Sequence, residues 1–210
     1  MTEATQFVQL PDDASYALAR LTFEAWVKPV GAAGTLLSRQ VTSSAQDNYR
    51  ISRRADGTLE MSFHYLALDG TVMSTTLAST DKVAVGEWSH VAVSFGPVSG
   101  SATQYEARFY INGEEAGVSA AVPMNGLYVG ETGEAADVRL GGFDGRMFEA
   151  RVWNAVRTAG QIASNYNAEL VGTEPGLVGF FRFDDGGTTI ENFCFQNDWL
   201  ADWEHAGVPV

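Results

Sequence analysis

The chain has 210 residues, of which 45% are hydrophobic and 19% charged, a balance that supports one packed core and argues against disorder. Net charge is −13, and no run of lysine or arginine is present to follow a phosphate backbone or an anionic membrane surface. Nucleic acid is therefore excluded as a partner, and so is membrane insertion, since no apolar stretch approaches the roughly 20 residues of a spanning helix.

Period-two alternation runs through the chain and is punctuated by turn dipeptides. Leu21, Phe23, Ala25 and Val27 share one face of a first strand, which Pro29 is expected to close because proline cannot donate to a ladder. Tyr49 and Ile51 alternate with Arg50 and Ser52; Asp56-Gly57 follows, and Leu59, Met61 and Phe63 return. That pattern predicts a hairpin with a type I′ turn. Asp69-Gly70 marks a second turn before Thr71 to Ser74. Val91, Val93 and Phe95 alternate with His90, Ala92 and Ser94, and Ala107 to Ile111 meets a third hairpin dipeptide, Asn112-Gly113. Segments 138–140, 145–153 and 177–183 supply the later strands, giving about a dozen at the spacing of a sandwich.

One helix interrupts the strands. Thr158 and Gln161 stand at capping-box spacing, with Ile162, Tyr166 and Leu170 on one face. The helix is short, and is expected to plug one end of the sandwich. The one cysteine, Cys194, lies between Phe193 and Phe195 and reads as a small buried hydrophobe, so no internal disulfide crosslinks the chain. Residues 1–10 lack the basic flank and apolar run of a signal peptide.

Six segments, in order, resemble the laminin-G-like and pentraxin-like jelly rolls of the concanavalin A-like lectin/glucanase superfamily. They are Phe23-Glu24-Ala25-Trp26-Val27-Lys28-Pro29, then Gly86-Glu87-Trp88-Ser89-His90-Val91-Ala92, then Phe109-Tyr110-Ile111-Asn112-Gly113-Glu114. Phe143-Asp144-Gly145-Arg146 through Glu149-Ala150-Arg151-Val152-Trp153-Asn154 follows, then Arg157-Thr158 with Gln161-Ile162, and Gly176 to Phe180 through Phe183-Asp184-Asp185-Gly186. The resemblance implies an all-β fold, a two-sheet antiparallel jelly-roll β-sandwich with one short helix in the C-terminal third. It covers one domain, residues 1–190, and leaves 191–210 as a tail of separate role. It also implies an extracellular or cell-surface location. Trp26, Trp88, His90, Glu24 and Glu149 match architectural positions of the family: the tryptophans are expected to pack, His90 to be a hydrogen-bonded structural residue, and the glutamates to satisfy backbone or arginine groups.

The resemblance extends to glucanases, which makes a catalytic carboxylate pair the first chemistry to look for. A retaining glycosidase needs two carboxylates about 5 Å apart. The glucanase pattern of three acids at alternate positions on one strand is absent, and Glu114-Glu115 and Asp184-Asp185 are adjacent pairs that point to opposite faces. No zinc helix, nucleophile elbow, phosphate loop or dinucleotide fingerprint is present, and His64, His90 and His205 show no metal spacing. The expectation is a non-catalytic module binding carbohydrate or glycoprotein, with a structural or adhesive module lacking a small ligand as the alternative.

The resemblance implies calcium as the cofactor. Asp47 and Asn48, within Gln46-Asp47-Asn48, match a pentraxin loop in which such a pair supplies two ligands, and Asp184 on the closing segment is the third candidate. The second acidic loop of the pentraxin site is replaced by Leu140-Gly141-Gly142-Phe143. Asp12, Asp13 and Asp144 are further oxygen-rich loop positions that also suit turns. Tyr65, Tyr128, Trp199 and Trp203 are sugar-platform candidates by residue type alone.

Overall fold

A computed structural model describes residues 7–10, 13–130, 134–183 and 191–194. Strands β1 (Phe7–Leu10), β2 (Leu21–Val41), β3 (Gln46–Arg53), β4 (Thr58–Leu66), β5 (Val72–Lys82), β6 (Ser89–Pro97), β7 (Gln104–Ile111) and β8 (Glu114–Val118) come first. Two short strands, β9 (Val122–Pro123) and β10 (Gly126–Leu127), precede β11 (Ala136–Gly141), β12 (Phe143–Trp153), helix α1 (Ala159–Asn165) and β13 (Leu177–Phe181).

All these pairings are antiparallel, and the 21-residue strand β2 organises them. Its first third pairs with β6 on one side and β12 on the other, giving a first sheet in the order β13-β12-β2-β6-β7-β8. Its last third, Gly34 to Val41, pairs with β3 and β11, giving a second sheet in the order β1-β11-β2-β3-β4-β5. The two-sheet jelly roll is thus the fold. Pro29 does not close β2, contrary to the sequence expectation. It stands past the end of the β6 ladder, still paired with Gly145 of β12, and its carbonyl accepts from the Gly86 loop, so its missing N–H is not needed by a ladder on that side.

The transition needs close backbone approach. A Cβ on Gly34 would lie 2.3 Å from Cβ of Phe143, and one on Gly145 would lie 2.5 Å from the carbonyl oxygen of Lys28. Only glycine lets β12 follow β2 around this bend.

The hairpins differ in turn type. Asn112 and Gly113 both have positive φ, 52° and 82°, as a type I′ turn requires. At Asp56-Gly57 only Gly57 does, at 94°. There Gly57 N donates to Arg54 O and Arg54 N donates to Thr58 O, so the expected type I′ turn is instead a type I turn with a glycine bulge. The Asp56 carboxylate accepts from Thr58 N and its hydroxyl, which favours that longer loop.

Phe23, Ala25 and Val27, together with Phe95 and Phe109 of the same sheet, face Tyr49, Ile51, Met61 and Phe63 of the second sheet across the sandwich, all within one buried core. The larger of these side chains, the Phe, Ile, Val and Met residues, each contribute about 1.5–3 kcal/mol by leaving water. The first sheet is also covered on its outer face. Ile162 of α1 packs on Ala92 and Tyr110, while Leu170 and Leu177 pack on Trp153 and Phe180. The helix therefore lies over a sheet face rather than plugging an end, because Ala92 and Tyr110 occupy outward positions of β6 and β7. Its capping box is formed as the sequence predicts. Residues 191–194, the start of the segment assigned to the tail, lie along β13: Phe193 N donates to Phe180 O, and Asn192 Oδ1 accepts from Phe180 N. Among the described residues, no helix is long and apolar enough to cross a membrane.

Candidate functional site

The second sheet leaves its outer face open, and strand register decides which side chains meet there. Inward-facing Leu37, Val138, Leu140 and Ile51 belong to the core, so their neighbours in sequence point outward. Cross-strand pairing then aligns Gln9, Arg139, Ser38, Arg50 and Ser62 in one row over five strands. A second row holds Asp137, Gln40 and Asp47, and at the edge Phe7 pairs with Gly141. A groove of about 240 Å³ results, lined in part by Phe7, Thr35, Gln40, Arg50, Asp137 and Arg139. That is below the ~300–1,000 Å³ of enclosed small-molecule pockets and suits a shallow, open contact.

Its polar groups are held in fixed orientations. Arg50 Nε and Nη2 donate to the two oxygens of Asp47, both at 2.9 Å. Gln40 Nε2 donates to Asp47 Oδ1 at 3.1 Å. On the other side, Arg139 Nη2 donates to Asp137 Oδ2 at 2.9 Å, and Gln9 Nε2 donates to Asp137 Oδ1 at 3.0 Å. The hydrogen bond to Asp47 holds the Arg50 guanidinium above its ordinary value. Phe7 is 45% exposed, and the Arg139 guanidinium carbon lies 4.8 Å from its ring centre. An aromatic ring thus stands beside two guanidinium–carboxylate pairs and two amides, each with donor or acceptor capacity left over.

Asp47 and Asp137 sit two strand spacings apart, about 10 Å between backbones, well beyond the ~5 Å of a retaining pair. An inverting pair needs one carboxyl free to protonate a leaving group. Both of these are bonded to guanidinium groups.

The predicted calcium ligands have other partners. Asn48 is fully buried; its Oδ1 accepts from Arg39 at 3.4 Å and its Nδ2 donates to Tyr128 O at 3.1 Å. Calcium requires six to eight oxygens. Here both oxygens of Asp47 are held by Arg50 and the buried Asn48 is held by Arg39 and Tyr128 O, so the pair as arranged does not fit the ion. Among the described residues no group of three or more His, Cys, Asp or Glu side chains converges. Asp184 lies outside the described residues, as do Asp12, Trp199 and Trp203. Asp13 caps a short 3₁₀ turn through Ser15 N, and Asp144 is exposed against Gly31. Of the tyrosine candidates, Tyr65 is in the core with its hydroxyl toward Met73, and Tyr128 supplies its carbonyl to Asn48.

A second polar cluster lies under α1, on the first sheet, and is closed to solvent. Glu24 is 3.1 Å from Arg157 Nε and 3.5 Å from His90 Nε2, while Arg151 bonds Glu149 at 2.6 Å. Burial draws the Arg157 guanidinium below its ordinary value, which Glu24 partly opposes. The glutamates meet arginine as expected. His90 is 1% exposed, but among the described residues its ring nitrogens make no hydrogen bond; Trp26 and Tyr166 enclose the ring at 5.7 Å each. Trp26 packs, donating from Nε1 to Tyr166 O. Trp88 does not: it precedes β6 beyond the reach of α1 and is 43% exposed.

A model of the concanavalin A-like lectin/glucanases superfamily, laminin G type, matches residues 2–163. The chain belongs to this superfamily. Among solved structures, this concanavalin A-like chain is similar to a proposed carbohydrate binding protein from Bacteroides ovatus (TM-score 0.62, 18% identity), over 90% of this chain and 54% of that one. It is also similar to the heptameric SAP-like pentraxin of Limulus polyphemus (0.50, 19%), over 78% and 76% of the two chains. The laminin α1 LG4-5 domains of mouse match at 0.50 and 12% identity, over 76% and 44%. The chain spans about half the length of the Bacteroides protein. No curated protein sequence matches. Superfamily membership accounts for the jelly roll; the groove rests on its own geometry.

Proposed function

We propose that the chain is a non-catalytic carbohydrate-recognition module whose ligand lies in the groove of the second sheet. The observation that carries this reading is the convergence of Phe7 with two oriented guanidinium–carboxylate pairs, Arg50–Asp47 and Arg139–Asp137, on an open sheet face. A sugar presents an apolar ring face and hydroxyls that both donate and accept. An exposed phenyl ring meets the first, and fixed Arg, Asp and Gln groups meet the second. The Bacteroides ovatus fold neighbour, itself proposed to bind carbohydrate, supports the same assignment. Free glycan and the glycan of a glycoprotein offer the same chemistry. Glycans are displayed outside cells, so a secreted or cell-surface location accompanies this reading.

Recognition at this groove proceeds without calcium, because arginine already supplies the positive charge beside Asp47. The test is a glycan array with calcium and with a chelator, followed by calorimetry on the best ligand. Binding is expected under both conditions, and Arg139→Ala is expected to weaken it about tenfold or more, as loss of charge-assisted hydrogen bonds does. No binding across diverse glycans, together with concentration-dependent assembly, would favour the adhesive alternative. Turnover of a β-glucan panel would overturn the non-catalytic assignment.

A further inference from the structure

The chain has few cations, and most are committed. Arg50, Arg53, Arg108, Arg139, Arg151 and Arg157 all hold hydrogen bonds to protein groups. Lys28 and Arg146 do not. They stand directly opposite each other on β2 and β12, and among the described residues neither side chain forms a hydrogen bond or ion pair. Like charges facing each other across a rung destabilise a sheet. Asp144, two residues before Arg146, and Glu87, beside Trp88, pair with neither.

An exposed aromatic, Trp88, lies one residue beyond the last rung of the β2–β6 ladder. Val27 pairs with Ser89, so the next position beside Lys28 belongs to Trp88, and Gly86 N donates to Pro29 O at 2.7 Å to keep that loop alongside. Lys28 and Arg146 share the outward face with Trp26 and Phe148, since the intervening Val27 and Met147 belong to the core. Gly145 lets β12 approach β2 closely enough to bring the two cations together. A row of Arg146, Lys28 and Trp88 therefore crosses the first sheet just beyond the part covered by α1.

We propose that this row is a second ligand site, for a saccharide bearing an anionic group. Trp88 takes the ring face, and Lys28 and Arg146 bind the carboxylate or sulfate. Charge complementarity carries the assignment. The two unpartnered cations gain a counter-charge, and their cross-strand repulsion is relieved when the anion arrives. The site faces away from the groove of the second sheet and does not depend on it.

Calorimetry with three oligosaccharides of equal length tests the idea: a polyuronate, a sulfated sugar and a neutral sugar, each at low and at physiological salt. One or both anionic probes are expected to bind and to weaken with salt, and which one binds identifies the anion. The double variant Lys28→Ser, Arg146→Ser is expected to weaken that binding about tenfold or more, and Trp88→Ala several-fold. Arg139→Ala leaves it unchanged. The unliganded double variant keeps its Tm or gains slightly. The proposal is overturned if neither anionic probe binds, if Arg139→Ala abolishes anion binding while the double variant retains it, or if the double variant loses Tm. Failure of the neutral sugar to bind the groove would count against the carbohydrate reading of the second sheet alone.

Discussion

Arg157 places its Nε 3.1 Å from Oε1 of Glu24, a carboxylate with no exposure to solvent. The guanidinium also lies over the Trp153 ring, 3.8 Å from its centre. Arg151 lies 3.9 Å from the same carboxylate but also bonds Glu149 at 2.6 Å, so Arg157 is the cation that depends on Glu24. Glu24→Ala would leave Arg157 buried without a carboxylate partner. The expected loss is about 3–5 kcal/mol in chemical denaturation, the range for breaking a buried pair from one side. A loss under about 1 kcal/mol, typical of exposed pairs, would mean that Arg157 reaches water once the carboxylate is gone.

Gly34→Ala tests the bend of β2. The new Cβ would meet backbone as well as side chain, with Cα of Phe143 at 2.4 Å, so no rotamer change relieves it. Overpacking of this kind costs upwards of about 3 kcal/mol when backbone must move. Gly70→Ala is the control. Nothing lies within 4 Å of its Cβ, and only its φ of +86° opposes the substitution, at a cost of about 1–2 kcal/mol. Thermal melts should therefore separate the two variants clearly.

Burial pushes the Cys194 thiol up to about 12 from an ordinary 9.0, with Glu174 adding to the shift. Above pH 9 the unfolded chain releases this proton while the folded chain keeps it. Stability is therefore fully present below that pH and falls as pH rises toward the folded value. Tyr16 and Tyr49, raised by burial from 10.0, act with the same sign but begin later. Chemical denaturation between about pH 8 and pH 10 should show a decline in the native chain that Cys194→Ala flattens. An equal slope in both would place the decline elsewhere.

The fold was largely legible because local signals agreed. Alternation at Phe23 and Ala25, the Asn112-Gly113 dipeptide and the Thr158–Gln161 capping box each predict the element that forms. The continuation of β2 beyond Pro29 was not legible, since whether a missing donor matters depends on which neighbour lies opposite. Nor was the groove. Gln9 and Asp137, which are hydrogen-bonded, stand 128 residues apart, and only register brings them together. The one local clue was the polar alternation of Arg50 and Ser52. Asp47 drew notice as a metal ligand, whereas its partner, Arg50, lay three residues further along the same strand.

Strand β2 carries Lys28 on one sheet and Ser38 and Gln40 on the other, within a single uninterrupted run of extended chain. Two opposed surfaces of the molecule are thus joined by covalent bonds and ladder pairing, with no hinge between them. A tension applied at one surface passes to the other along the strand itself. The domain behaves as a stiff coupling of fixed span, and any two ligands it holds are kept at a set separation.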